Sequence, residues 1–185
     1  VMLTSLHLAA PDDHWHVWLL HRHLSDAQVS DLTARTAAWG WQFSAIQVAA
    51  EHFSAPKTTK RYPQEMYYRL LCGELLPQTV KKVIYLDPDI LIINSIRKLY
   101  LHSLKPLWRK RLAGHLFAAA THSGLTDMIN DLNRVRLNQT HGYYNSGVLV
   151  IDVQKARQQI NLTAINQALR RYERQLLLPD QDLLN

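Results

Sequence analysis

Tyr85-Leu86-Asp87-Pro88-Asp89 puts two carboxylates, one residue apart, where the apolar run Val83 to Leu86 gives out. That run is long enough for a buried strand and too short for a helix. In an extended segment residues i and i+2 point to the same side, so Asp87 and Asp89 are expected to face one ion or polar ligand. Paired hard oxygens suit Mg²⁺ or Mn²⁺, which proteins usually hold with one or two carboxylates plus substrate phosphates. A plain surface turn is the alternative, because Asp and Pro both favour turns. A second apolar run, Ile90 to Ile93, follows at once and is read as buried. The ligand crevice of an open α/β sheet lies beyond the carboxyl ends of its strands, and that placement favours ligand binding.

Outward from this stretch, strand-like and helix-like segments alternate. Upstream, Trp15 to Leu20 and Phe43 to Val48 read as strands, and Thr4 to Ala10 as part of a helix ended by Pro11. Between the strands, Ser25 suits an N-cap and Gln28 the third position of a capping box, with Leu24 and Val29 as a hydrophobic staple. Val29, Leu32, Thr36 and Trp39 continue at helical spacing until Gly40 closes the element. Lys57 to Tyr62 is basic and irregular, and Pro63 fits the first turn of another helix. Met66, Tyr67, Leu70, Leu71 and Leu75 mark its buried side at a period near 3.6, which leaves Arg69 on the opposite, solvated side. Downstream, Leu116 to Ala120 and Gly147 to Ile151 read as strands. Ile165, Ala168, Leu169 and Tyr172 give a late helix with Arg170, Arg171 and Arg174 on its outer face. The alternation predicts one α/β domain over residues 1–185, a largely parallel sheet flanked by helices.

Composition narrows the class. The 185 residues include 21 Lys plus Arg against 15 Asp plus Glu, a net charge of +6, and 47% are hydrophobic. A disordered polyelectrolyte is excluded, since it would lack the apolar surface that offsets folding entropy. No uncharged apolar run approaches the ~18 to 20 residues of a membrane helix. Cys72 is the single cysteine, so no internal disulfide forms and a reducing, cytoplasmic setting is expected. The modest charge and the lack of a recognised motif argue against nucleic acid. Lys105, Arg109, Lys110 and Arg111 around Trp108 read as a solvated loop, with peripheral membrane contact through anionic headgroups as the alternative. His14, His16, His21 and His23 read as surface residues, because one strand would split them between two faces and no Cys stands near to complete a zinc site. Leu183-Leu184-Asn185 stops as an apolar helix begins, so an incomplete fragment of a longer protein is expected.

Two further segments carry chemistry. His141-Gly142-Tyr143-Tyr144-Asn145-Ser146-Gly147 sets an amide, a hydroxyl and a glycine at the mouth of a strand. Amide and hydroxyl are the donors and acceptors that recognise sugar hydroxyls, although an ordinary loop entering a strand reads the same way. In Leu178-Pro179-Asp180-Gln181-Asp182, two carboxylates flank an amide, and helix capping competes with a functional role.

In order and wording these segments resemble glycosyltransferase family 8, the retaining transferases with a GT-A (Rossmann-like) fold. The match runs through Arg61-Tyr62-Pro63-Gln64-Glu65-Met66-Tyr67-Tyr68-Arg69-Leu70, then the Asp-Pro-Asp stretch, then Tyr-Tyr-Asn-Ser-Gly-Val, then Pro-Asp-Gln-Asp-Leu-Leu-Asn. It covers Arg61 to Asn185 well and the first sixty residues loosely. The resemblance implies a hexosyltransferase moving glucose or galactose from UDP to a glycan or glycolipid acceptor. Asp87 and Asp89 would hold Mn²⁺ (or Mg²⁺) on the diphosphate, with Pro88 beside them. Arg69, Asn145 and Ser146 would contact the donor sugar, Asp180 and Gln181 would stand by its anomeric carbon, and Asp182 would join them as a catalytic residue. Gln181 lies where a retaining nucleophile would stand; front-face attack without a covalent intermediate stays open, because an amide is a poor nucleophile. The chain departs from the family at His122, where several relatives carry an Asp in the cleft. The family's uracil-binding first strand would precede Val1, and its metal-completing His would follow Asn185. A non-catalytic glycan- or sugar-nucleotide-binding partner and a nucleotidyltransferase are the competing classes, and homo-oligomerisation is open.

Overall fold

The computed structural model describes residues 1–49, 63–102, 115–121, 127–140, 142–172 and 176–185. The expectations at Lys57 to Tyr62, Lys105 to Arg111, His122, His141 and Arg174 lie outside the described residues. Helix α1 (Met2–Ala9) precedes β1 (His16–His21), α2 (Asp26–Ala38) and β2 (Gln42–Gln47). A 3₁₀ helix (Gln64–Leu71) then runs into α3 (Cys72–Leu75) and β3 (Lys82–Leu86). After α4 (Arg97–His102) come β4 (Phe117–Thr121), α5 (Asp127–Arg136) and β5 (Tyr144–Asp152). The last elements are α6 (Val153–Gln159), α7 (Leu162–Tyr172) and α8 (Pro179–Leu184).

The local signals upstream hold. The Ser25 side chain accepts from the Gln28 N–H and the Gln28 side chain from the Ser25 N–H, a complete capping box. Gly40 ends the turn after α2 at φ +72°, a conformation open to glycine at little cost. β1 and β2 pair in parallel, His16 opposite Gln42 through His21 opposite Gln47.

Strand direction elsewhere differs from the sequence reading. β5 lies between β3 and β4 and is antiparallel to both, with Leu86 opposite Val148 and Phe117 opposite Ile151. Alternation of elements reports burial, whereas direction depends on where each connection returns the chain. The β1–β2 and β3–β5–β4 sheets share no ladder among the described residues. A cavity of about 1470 Å³, lined by Trp18 and Leu20 of β1 and Val83 and Tyr85 of β3 among others, separates them.

Two apolar clusters support this frame. Val48, Tyr67, Tyr68, Leu70, Leu71, Ile165 and Leu169 pack the 3₁₀ helix against α7. Cys72, Leu76, Leu149, Ile151, Val153 and Ala156 join α3, β5 and α6. Gly73 lets α3 and α6 approach closely: a Cβ there would sit 2.6 Å from the Arg157 amide nitrogen. The apolar run after Asp89, expected to be buried, is partly exposed. Ile90 to Ile93 has no regular structure, and Leu91 and Ile93 are 66% and 76% exposed. Among the described residues no helix is long and apolar enough to cross a membrane.

Candidate functional site

Arg69 stands at the centre of the three sequence motifs. Its residue exposure is 6%, which overturns the solvated position given by an α-helical wheel. The segment is a 3₁₀ helix whose residues 67–71 are all buried, so none of its faces is left to solvent, and Arg69 Nε donates to the carbonyl of Met66, one turn earlier (3.1 Å). Nη1 donates to the Ser146 carbonyl (2.7 Å) and hydroxyl (2.9 Å), and Nη2 to Asp87 Oδ1 (2.8 Å). Nε also lies 3.3 Å from Asp180 Oδ2. Beneath the guanidinium, 4.5 Å away, is the ring of Tyr85, whose hydroxyl donates to Asp87 Oδ1 (2.6 Å). One cation thus joins groups more than a hundred residues apart in sequence.

The antiparallel ladder explains why the Asp-Pro-Asp and Asn-Ser-Gly segments meet. It carries past Leu86, the Asp87 N–H donating to the Gly147 carbonyl (2.9 Å). A Cβ on Gly147 would lie 2.9 Å from Asp87 Oδ2 and 3.0 Å from Asn145 Oδ1, so glycine makes room for both side chains. Asn145 Oδ1 accepts the Gly147 N–H (2.6 Å), which fixes the amide with its NH₂ group as the remaining donor. Gln181 Oε1 accepts the Ser146 N–H (3.3 Å) and lies 3.2 Å from the Ser146 hydroxyl, which is also 3.4 Å from Asp180 Oδ2. Burial raises the Asp180 pKa above the usual carboxylate range, with Arg69 pulling against it and Asp87 adding to it.

Asp182, counted among the catalytic residues, is enclosed by protein groups. Its side chain has no exposed surface. The carboxylate accepts from Arg136 (2.7 and 3.0 Å), the Tyr143 hydroxyl (2.7 Å) and the N–H groups of Leu177 (2.8 Å) and Leu178 (3.1 Å). Burial alone would raise its pKa, but Arg136, Tyr143 and the two backbone donors together hold it below the usual carboxylate value.

Asp87 and Asp89 are not two positions of one extended segment. Pro88 and Asp89 form a turn, the Ile90 N–H lies 3.4 Å from the Asp87 carbonyl, and Asp89 is exposed. Arg69 and Tyr85 take Asp87 Oδ1, leaving Oδ2 beside Gly147 and Asn145. Among the described residues no three His, Cys, Asp or Glu side chains converge on a possible metal position. Two carboxylates completed by phosphate oxygens form a donor set that Mg²⁺ or Mn²⁺ accepts, so the residues fit such an ion by donor type. The four amino-terminal histidines form no such group. His16 stacks on Trp18 at 4.1 Å, and His21 Nδ1 accepts the Leu24 N–H (3.3 Å).

Sequence reading gave no role to Tyr85 or Arg136. Tyr85 was within reach of it, because strand alternation puts residues 85 and 87 on one face. Arg136 carries no motif, and only the tertiary fold brings it to Asp182.

The whole arrangement belongs to a known structural class. The fold is that of GT-A glycosyltransferases: over 99% of this chain it superposes on an active-site mutant of LgtC with a TM-score of 0.80 and 25% identity, covering 62% of that chain. Galactosyltransferase LgtC in complex with donor and acceptor sugar analogs gives 0.79 at 24% identity, over 99% of this chain and 63% of that one. The glycosyl transferase family 8 profile matches residues 1–185, and the chain belongs to that family. General stress protein A of Bacillus subtilis (strain 168) is 26% identical over 157 residues, 83% of this chain and 51% of its own length. Probable galacturonosyltransferase-like 10 of Arabidopsis thaliana is 31% identical over 102 residues, 50% of this chain and 26% of its own. The chain therefore spans about half the length of the first relative and a quarter of the second.

Proposed function

We propose that the chain forms the donor-sugar site of a metal-dependent, retaining glycosyltransferase. It moves a hexose, glucose or galactose, from UDP to a glycan or glycolipid acceptor. The observation that carries this reading is the Arg69 hub, which gathers Asp87, Ser146 and Asp180 at one point. Its charge balance also has a consequence. One guanidinium faces Asp87 and Asp180, with Asp89 exposed nearby, so the site is net acidic and a bare diphosphate would be repelled.

Asp87 Oδ2 and Asp89 would hold a divalent cation together with diphosphate oxygens. When bound, the ion supplies Lewis-acid stabilisation of the charge growing on departing UDP. The Asn145 NH₂ group and the Ser146 hydroxyl orient sugar hydroxyls. Gln181 Oε1 faces two Ser146 donors, which weakens it as a nucleophile and suits it to orienting the sugar, so front-face attack is favoured. Asp182 acts by position, holding the helix that presents Asp180 and Gln181. A reducing, cytoplasmic setting agrees with the buried, lone Cys72.

The test is release of UDP from UDP-glucose and UDP-galactose, with Mn²⁺ and candidate acceptors, by wild type and Asp87→Asn. Loss of a charged group at such a centre should lower turnover by ~10² to 10³-fold. Equal turnover in both proteins would remove Asp87 from the chemistry, and release of pyrophosphate would indicate nucleotidyl transfer instead.

A further inference from the structure

Helix α8 presents Asp180 and Gln181 to the site, yet it is only six residues long and Leu178, its N-cap, supplies no side-chain cap. A helix this short is not stable by itself, so its position must be imposed from outside. The imposing group is Asp182. Its Oδ2 turns back to accept the N–H groups of Leu177 and Leu178, fixing the entry to the helix. A carboxylate with no exposed surface needs a cation or a full set of donors. Arg136, the last residue of α5, provides the cation as a fork, Nη2 to Oδ1 at 2.7 Å and Nη1 to Oδ2 at 3.0 Å. The fork is itself aimed by Asn133, whose Oδ1 accepts from Arg136 Nε (3.3 Å) and Nη2 (3.0 Å). The end of a helix is also where a cation is electrostatically favoured. The Tyr143 hydroxyl completes the set from the residue before β5.

We propose that Arg136 is a positioning residue for the glycosyl-transfer site. Through its two-pronged grip on Asp182 it fixes the 177–184 segment, and so sets Asp180 against Arg69 and Gln181 against Ser146. Arg136 also bears on the Tyr143 hydroxyl, which itself donates to Asp182, so its influence on the site is carried by this buried cluster. This inference rests on the transferase reading for its kinetic consequence only; the grip itself stands on the geometry.

The two parts are separated by measuring turnover and hydrogen exchange on the same proteins. Arg136→Met should lower kcat about 10- to 100-fold, the effect of a reacting-group misplacement near 1 Å. Donor KM should stay within about threefold, because Arg69, Asn145 and Asp87 keep their places. Amides of the 176–185 peptide, Leu177 and Leu178 above all, should exchange faster, while peptides from β3 and β5 exchange as in wild type. Arg136→Lys should recover only part of kcat, since an ammonium cannot fork. Asp182→Asn should mimic Arg136→Met, and the double variant should be no worse than either alone. Wild-type kcat in Arg136→Met, or unchanged exchange over 176–185, overturns the proposal. A wild type without turnover whose 176–185 segment still loosens in Arg136→Met would uphold the grip and remove the transferase reading.

Discussion

Replacing Arg69 by Met keeps much of the side-chain volume and removes the charge. The Arg69 side chain is 7% exposed, and those of its partners Asp180 and Asp87 are 10% and 25% exposed. Breaking a buried pair by deleting one member costs about 3 to 5 kcal/mol, because a buried charge is left without compensation. Here two carboxylates are left, so the upper part of that range applies at pH 7. Acid should relieve the loss. Burial already raises the Asp180 pKa and Arg69 restrains the rise, so removing Arg69 raises it further. A carboxyl group raised in the folded state contributes fully below its unfolded value and loses that contribution as pH climbs through the folded value. The deficit of Arg69→Met against wild type should therefore be greatest at neutral pH and shrink on acidification, by at most about 1.4 kcal/mol per pH unit for each proton taken up. Urea unfolding of both proteins at pH 7 and pH 5 reads this directly. A deficit below about 1 kcal/mol at pH 7, or one that does not change with pH, would show that Arg69 does not compensate buried carboxylates.

Other substitutions test separate parts of the account. In Gly147→Ala the new methyl would meet Asp87 Oδ2 at 2.9 Å while Arg69 and Tyr85 pin Asp87 in place. A stability loss of about 1 to 3 kcal/mol should accompany a larger loss of Mn²⁺-dependent UDP binding, measured on protein that is still folded. Gly73→Ala places a methyl 2.6 Å from the Arg157 backbone nitrogen. Because backbone cannot yield as a side-chain tip can, its urea midpoint should fall by the equivalent of ~3 kcal/mol, the top of the overpacking range. Ser25→Ala removes the capping-box acceptor of α2 and should cost about 1 kcal/mol in the same unfolding assay, with no effect on ligand binding.

Much of this molecule was legible in its sequence because the relevant physics is local. The Ser25–Gln28 box, the stop at Gly40 and the apolar runs of β1, β2, β3 and β5 need only neighbouring residues. The three motifs were also legible as one group, though through their order along the chain and not through any contact. Legibility ended where the fold chose between local forms. The apolar spacing of Met66 to Leu75 fits an α-helix with one solvated side, but Gln64–Leu71 winds as a 3₁₀ helix whose residues 67–71 are all buried, so Arg69 lies in the centre of the site. Asp87 and Asp89 would share a face only on extended backbone, and the Pro88 turn ends that alternation. Antiparallel pairing of β3, β4 and β5 depends on connections that periodicity does not encode. The grip of Arg136 on Asp182 spans forty-six residues and has no local signature.

The most direct measurement is calorimetric titration of UDP into the protein with and without Mn²⁺, repeated on Asp87→Asn. The account predicts binding that requires the ion in wild type and is lost in the variant. Binding equally strong without metal, or unchanged by Asp87→Asn, would contradict a cation held between the protein and a nucleoside diphosphate.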